Sequence, residues 1–318
     1  MKKFIINCAL LGIPFVIYGI LVAIIDPYNY LNMNKGADRQ MKEDIAYVIE
    51  PHLLRMTKFH NNPTDKVVLG DSRSNGLYVR IESCDSVYKG WSNLAYGGSS
   101  LQEVIETFWW ATKEIKLDTV LMGINLNLYN KYNKKFWVQE TIERRENFFS
   151  YAFNRYTLQA TMLTLEGYLS DENVVAYEPP SSKEEFWRYT LSSMGSKFYE
   201  HFAYPDEYFA QLKEISEYCK RHDIVLIFWV PPTHIEFQKK KEDFGLAEMD
   251  ARFKADLATM GEVYDFDYPS ELTQKYEDFR DPMHFDVRVG EIVRDELLTG
   301  LAPHARHPKG HERTFPGG

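Results

Sequence analysis

The chain has 318 residues, 44% of them apolar and 15% aromatic, enough for one sizeable α/β domain with an insertion or for two modest domains. Residues 1–25 hold two lysines and no acid, so the remainder carries 35 basic against 46 acidic side chains, a charge of −11. That balance gives no electrostatic footprint for nucleic acid and does not favour adhesion to an anionic membrane surface, which argues against a polynucleotide partner.

Lys2 and Lys3 precede an uncharged run from Phe4 to Ile25, whose twenty-two residues match the length that crosses a hydrocarbon layer as a helix. Asp26-Pro27 ends it. The run is longer than the apolar core of an ordinary signal peptide and no small-x-small cleavage site closes it, so residues 1–25 read as an uncleaved transmembrane anchor. Lysines on the short side predict a cytoplasmic N-terminus and a single pass through the cell membrane, with everything after Asp26 extracytoplasmic. Cys8 lies within the run. Cys84 and Cys219 either pair in an oxidising compartment or stand as two separate buried thiols. No Cys/His spacing resembles a zinc site, and neither a metal nor a cofactor is expected.

Residues 26–65 read as a short stalk, Asp26 to Asn34, and a leading helical stretch, Asp38 to Phe59, interrupted at Pro51 because proline lacks the donor of an interior turn. Lys66 to Gly70 is a short buried strand ending in a turn, and Val87 to Ala95 a weaker one. A helix from about Ser100 to Ile115 and a strand from Asp118 to Gly123 follow. Farther on, a helix from Asp206 to Arg221 feeds the strongest strand, Ile224 to Val230, which Pro231-Pro232 stops. A helix at Leu246 to Met260, a strand at Glu262 to Phe266 and a helix at Asp286 to Leu298 complete the count. Strands alternating with helices predict an α/β fold, a three-layer sandwich around a mostly parallel sheet, over residues 66–302.

Residues from about 126 to 205 exceed any simple crossover and are rich in aromatics, Phe136, Trp137, Phe148, Phe149, Tyr151 and Phe153 among them. They read as a helical insertion with its own small core, or as a lid or glycan-facing wall. Residues 303–318 read as a disordered tail, and the irregular spacing of His304, His307 and His311 argues against a metal site there.

Four short segments carry chemistry. Gly70-Asp71-Ser72-Arg73, Asn93-Leu94-Ala95-Tyr96-Gly97-Gly98 and Gly123-Ile124-Asn125 each follow a predicted strand, at the carboxyl edge where open α/β sheets bind ligands. Asp281-Pro282-Met283-His284 lies in a late loop. A serine becomes a nucleophile when a base takes its proton and a third group orients that base, and Asp281 and His284, three residues apart, can supply base and orienting acid for Ser72. Each part also has a plainer role: Asp71 or Ser72 can cap the helix that follows, and Asp281 can simply shape a turn.

Together these segments resemble the SGNH hydrolase superfamily, the GDSL-type esterases and acyltransferases, as scattered blocks between about Lys66 and Leu298. The resemblance implies Ser72 as nucleophile, His284 as base and Asp281 as orienting acid, with the Ser72 and Gly98 amides and the Asn125 side chain as the oxyanion hole. Gly97 competes with Gly98 for that role. Leu126 stands where the third block commonly has Asp, and Asn127 is an alternative amide. Arg73 after the nucleophile resembles membrane-anchored members associated with cell-envelope glycan acylation, where it would contact an anionic substrate or pair with Asp71. His234, at the end of the strongest strand, is a candidate pocket residue or a turn residue. His52, His60, His201 and His222 read as surface groups.

The resemblance implies serine-dependent acyl transfer, with O-acetylation of an extracytoplasmic polysaccharide as the expected reaction and a multi-spanning membrane acyltransferase as the expected partner. A carbohydrate or lipid esterase, and a glycan-binding protein without turnover, are the alternatives.

Overall fold

The structure, a computed structural model, describes residues 1–33, 39–77, 90–170 and 182–308. Cys84, residues 87–89 of the weaker predicted strand, residues 171–181 of the insertion, and His311 with the rest of 309–318 lie outside the described residues. The chain forms two compact units, Met1–Pro63 with Trp137–Glu178, and Thr64–Phe136 with Pro179–Gly318. Elements are numbered along the chain.

The first unit is helical. Its helices are α1 (Lys2–Ile25), α2 (Arg39–Ile49), α3 (Pro51–Asn61), α6 (Trp137–Arg145), α7 (Phe148–Ala152) and α8 (Arg155–Leu169). α1 covers the whole apolar run and is long and apolar enough to cross a membrane or to serve as a signal sequence. Asp26 ends it in the left-handed region, and its carboxylate accepts from the amides of Tyr30 at 2.7 Å and Leu31 at 2.9 Å. Pro51 opens α3 at its first turn, where the missing donor costs nothing. Burial pushes the Asp26 carboxyl up against the opposing pull of these amides and the Tyr151 hydroxyl.

The stretch after Asp26, expected as a stalk, is part of this unit's core. Tyr28 is 1% exposed, and Tyr30 stacks on Tyr151 with centroids 4.2 Å apart. Tyr151 of the expected insertion, with Phe148 and Phe153 packed against it, therefore shares a core with the chain's beginning, alongside Val22, Ile45, Leu53 and Ala160, instead of building a core of its own. Phe136 and the residues from 179 on belong to the second unit. His52, expected at the surface, is buried beside Glu50 at 3.2 Å and edge-on to Trp137. Glu50 is local, the cap residue of α3, whereas Trp137 comes from α6, 85 positions on, a contact that the sequence around His52 does not reveal.

The second unit is α/β. Five parallel strands run in the order β2-β1-β3-β4-β5 among the described residues: β1 (Lys66–Leu69), β2 (Trp91–Asn93), β3 (Thr119–Gly123), β4 (Val225–Val230) and β5 (Glu262–Asp265). The register aligns Val68, Leu121 and Ile227 on one face. There they share a core with Val289, Val293 and Leu297 of α14 (Val287–Thr299). Val67, Val120 and Phe228, which alternate with them, are equally buried. Near-continuous apolar strands such as β4 follow from burial on both faces.

Between the strands lie α4 (Ser72–Gly76), α5 (Leu101–Glu114), α9 (Lys183–Tyr189), α10 (Gly195–Tyr199), α11 (Asp206–Arg221), α12 (Ile235–Asp243) and α13 (Ala247–Met260). α5 starts at a capping box in which the Ser100 hydroxyl and the Glu103 carboxylate exchange hydrogen bonds with each other's amides. Two short antiparallel strands, β6 (Phe279–Asp281) and β7 (His284–Phe285), form a separate ribbon. The expected disorder from residue 303 does not hold for 303–308: Arg306 exchanges backbone hydrogen bonds with Asp265, and His304 pairs with Glu296. In the 2-1-3-4-5 order the direction in which strands are added reverses between β1 and β3, where such sheets open a crevice at the carboxyl ends.

Candidate active site

Ser72 owes its position to the turn after β1. Gly70 has φ +144, and a Cβ there would overlap the Ser74 side chain and come within 2.9 Å of the Gly123 carbonyl oxygen. Only glycine fits so close an approach. Asp71 then caps α4, its carboxylate accepting from the Arg73 amide at 2.9 Å. With capping assigned to Asp71, the Ser72 hydroxyl is left to other partners. Its amide is one of the first-turn donors a helix leaves unpaired within itself.

The ribbon delivers the acid and the base. Asp281 and His284 are paired across β6 and β7, joined through Pro282-Met283. Asp281 Oδ1 accepts from the Met283 amide at 2.8 Å and the His284 amide at 3.2 Å, and Oδ2 faces His284 Nδ1 at 2.7 Å. The other ring nitrogen, Nε2, lies 2.7 Å from Ser72 Oγ. Burial of Asp281 opposes its ionisation, but the hydrogen bond and charge of His284 and the two amides outweigh it, so the carboxyl titrates below its ordinary range. An ionised carboxylate only accepts, which places the imidazole proton on Nδ1 and leaves Nε2 to accept from the serine hydroxyl.

Two further segments are tied to the serine turn. The Tyr96 amide donates to the Gly70 carbonyl at 3.1 Å, and Gly123 ends the strand beside β1. Gly98 has φ +69, and the Lys135 ammonium donates to its carbonyl. Burial lowers the Lys135 pKa, against the pull of Glu103. Asn125 is 2% exposed, and its Nδ2 donates to the Pro231 carbonyl at 3.0 Å. An amide nitrogen carries two hydrogens, so one remains for another acceptor.

The three other candidates are internal ties. The Arg73 side chain is fully buried, holding Asp71 through Nε and Nη2 and donating from Nη2 to Asn127 Oδ1 at 2.9 Å. Of the two roles open to Arg73, pairing with Asp71 is the one seen. His234 caps α12, and its amide donates to the Pro282 carbonyl at 2.9 Å, inside the Asp281–His284 turn. Its Nε2 faces the Gln274 carbonyl at 3.2 Å, and its ring packs against Trp187 and Phe279. Burial lowers the pKa of His234, against the pull of the Gln274 carbonyl and Glu236, and so disfavours its charged form.

The 231–234 loop thus touches two parts of the site, Asn125 through Pro231 and the histidine turn through His234. A buried ion network holds the loop. Asp267 Oδ1 accepts from the Thr233 amide at 3.0 Å and its hydroxyl at 2.6 Å, while Oδ2 pairs with Lys241 at 2.9 Å. Lys241 also pairs with Asp250 at 3.0 Å. Sequence reasoning missed Lys135, Lys241 and Asp267. Pro231-Pro232 was the only local signal of a constrained loop, and nothing in the sequence links Lys241 to Asp267.

No protein-family model matches the chain, and no curated protein matches it. Among solved structures it is similar to one described as a "putative acylhydrolase" from Bacteroides fragilis, at 12% identity and a TM-score of 0.40, over 75% of this chain and 86% of that one.

Proposed function

We propose that the chain is a serine-dependent acyl-transfer enzyme acting through an acyl-Ser72 intermediate. The hydrogen-bonded series Ser72, His284, Asp281 carries this reading, because it joins a hydroxyl to an oriented base across 212 positions of sequence. In the first half-reaction Ser72 Oγ attacks an ester carbonyl as its proton passes to His284 Nε2. Collapse of the tetrahedral intermediate breaks the ester bond, and the imidazolium protonates the departing alcohol. In the second, His284 deprotonates an incoming hydroxyl, which attacks the acyl group, and the proton returns to Ser72. The Ser72 and Gly98 amides and the free Asn125 N–H serve as oxyanion donors in this scheme. Asp281 holds the tautomer.

Water as the acceptor gives an esterase, and a sugar hydroxyl gives an O-acyltransferase. The finer reading is O-acetylation of an extracytoplasmic polysaccharide by a domain tethered through α1, N-terminus inside, with acyl groups supplied by a multi-spanning membrane acyltransferase. The net negative charge after residue 25 accords with a neutral glycan rather than a polyanion. The test is partitioning. Full-length protein is given an aryl acetate with and without added oligosaccharide, and free acetate and acetylated sugar are both measured. Acetylated sugar that rises with oligosaccharide concentration, at the expense of free acetate, supports transfer. Acetate alone supports the esterase, and neither product from folded protein would leave a glycan-binding role.

A further inference from the structure

Apart from Leu163, half-buried against the core, helix α8 turns its small residues inward and its large apolar ones outward. Thr157, Ala160, Thr161 and Thr164 are its fully buried residues, packed towards the core that Ala160 shares with Val22 of α1. The Thr164 hydroxyl satisfies itself on the Ala160 carbonyl at 2.7 Å, which lets a threonine face a neighbouring helix. On the outside stand Leu158, Met162 and Leu169, exposed by 46%, 51% and 82%, with Leu165 half-buried between them. At helical spacing these four form one stripe, and Arg155, Gln159 and Glu166 form the next. A helix bordering water carries its large apolar residues inward, so this arrangement points to a different medium.

The stripe belongs to a larger apolar surface. Phe149 of α7 is 69% exposed and its ring lies 4.7 Å from that of Phe153. Phe153 in turn meets Tyr18 at 5.3 Å and Phe15 at 6.3 Å, and the Tyr18 hydroxyl donates to the Ala152 carbonyl at 2.8 Å. This connects α7 and α8 to the part of α1 where Phe15, Val16, Ile17 and Ile20 are all exposed. α1 has 24 residues, about 36 Å of helix against about 30 Å of hydrocarbon, so its outer end stands in the headgroup region. Small residues at a helix contact and large apolar ones turned outward are the pattern of packing within lipid.

We propose that α7 and α8 form an interfacial membrane element, with Phe149 and the Leu158, Met162, Leu165, Leu169 stripe seated at the boundary between headgroups and acyl chains of the bilayer that α1 crosses. The proposal rests on reading α1 as an anchor. α8 has 15 residues, too few to span, and its polar stripe keeps it at the surface. Contact is through hydrocarbon, so phosphatidylcholine suffices and anionic lipid is not required.

The test places a photoreactive p-benzoylphenylalanine singly at the positions of Leu158, Met162, Leu169 and Ile17 in the full chain, reconstituted in phosphatidylcholine vesicles. After irradiation, lipid adducts are counted by mass spectrometry. The expected result is lipid adducts at 158, 162 and 169 with yields of the same order as at 17. Adducts at 17 but not at the three α8 positions would overturn the proposal and leave the anchor standing. No adducts at 17 would overturn both. Crosslinks between two copies of the chain through 158 or 162, in place of lipid, would show that a second protomer covers this face and would also overturn it.

Discussion

Replacing Asp281 with asparagine changes the site by one atom and reverses its proton logic. Asp281 Oδ1 already accepts two amides, Met283 at 2.8 Å and His284 at 3.2 Å, so the carbonyl oxygen of an Asn must occupy that place. Its NH2 then faces His284 Nδ1, where Oδ2 now lies at 2.7 Å. An N–H aimed at Nδ1 needs a lone pair there, which moves the imidazole proton to Nε2 and leaves nothing to accept from Ser72. In a serine triad this wrong tautomer costs about 10⁴ in kcat, or about 5.5 kcal/mol of transition-state stabilisation. Aryl-acetate hydrolysis by Asp281→Asn should therefore fall by about that factor with KM little changed. The pH dependence of stability gives a second readout. The Asp281 carboxyl titrates below its ordinary range, so it contributes stability above an unfolded-state pKa of about 3.9 and loses it as pH falls through its lower folded value. Urea denaturation across acid pH should show the gap between wild type and variant closing below about pH 4. A variant within threefold of wild-type activity would refute the argument that Asp281 sets the tautomer.

Asn125→Ala removes a proposed oxyanion donor and should lower kcat by about 10² to 10³ with little change in KM, in the same assay. Gly70→Ala forces a side chain at φ +144 against Ser74 and Gly123; chemical denaturation should show a loss of at least about 1–3 kcal/mol. Lys241→Met strips Asp267 and Asp250 of a buried cation and should cost about 3–5 kcal/mol by the same measurement. Adding Asp267→Asn, which still accepts from the Thr233 amide, should restore part of it, and no recovery would mean the loss arises elsewhere.

Much of the α/β scaffold was legible because its signals are local. Buried parallel strands read as apolar runs, and helices such as α11 and α13 carry their own periodicity, so Asp206–Arg221 appears as expected and α13 starts within a residue of its expected place. The Asp281-x-x-His284 spacing was readable because a tight ribbon turn makes three residues the natural separation for a cross-strand pair. What escaped depends on distant partners. Tyr28 and Tyr30 looked like stalk residues since their partner Tyr151 lies more than a hundred positions away. His234 looked like a pocket residue because its chain position is right, while its hydrogen bonds to the Pro282 turn and Gln274 turn it inward. Arg73 shows the same limit: a charge beside a nucleophile suggests substrate, yet Asp71 and Asn127 enclose it.

The proposed reaction stands on Ser72 being a base-activated nucleophile. Folded full-length protein exposed to a fluorophosphonate, then digested and mapped by mass spectrometry, tests it without knowledge of the natural substrate. One adduct per chain is expected, on Ser72, with labelling abolished in Ser72→Ala and slowed by orders of magnitude in His284→Ala. A folded chain whose Ser72 stays unmodified, or labels equally fast without His284, would contradict it.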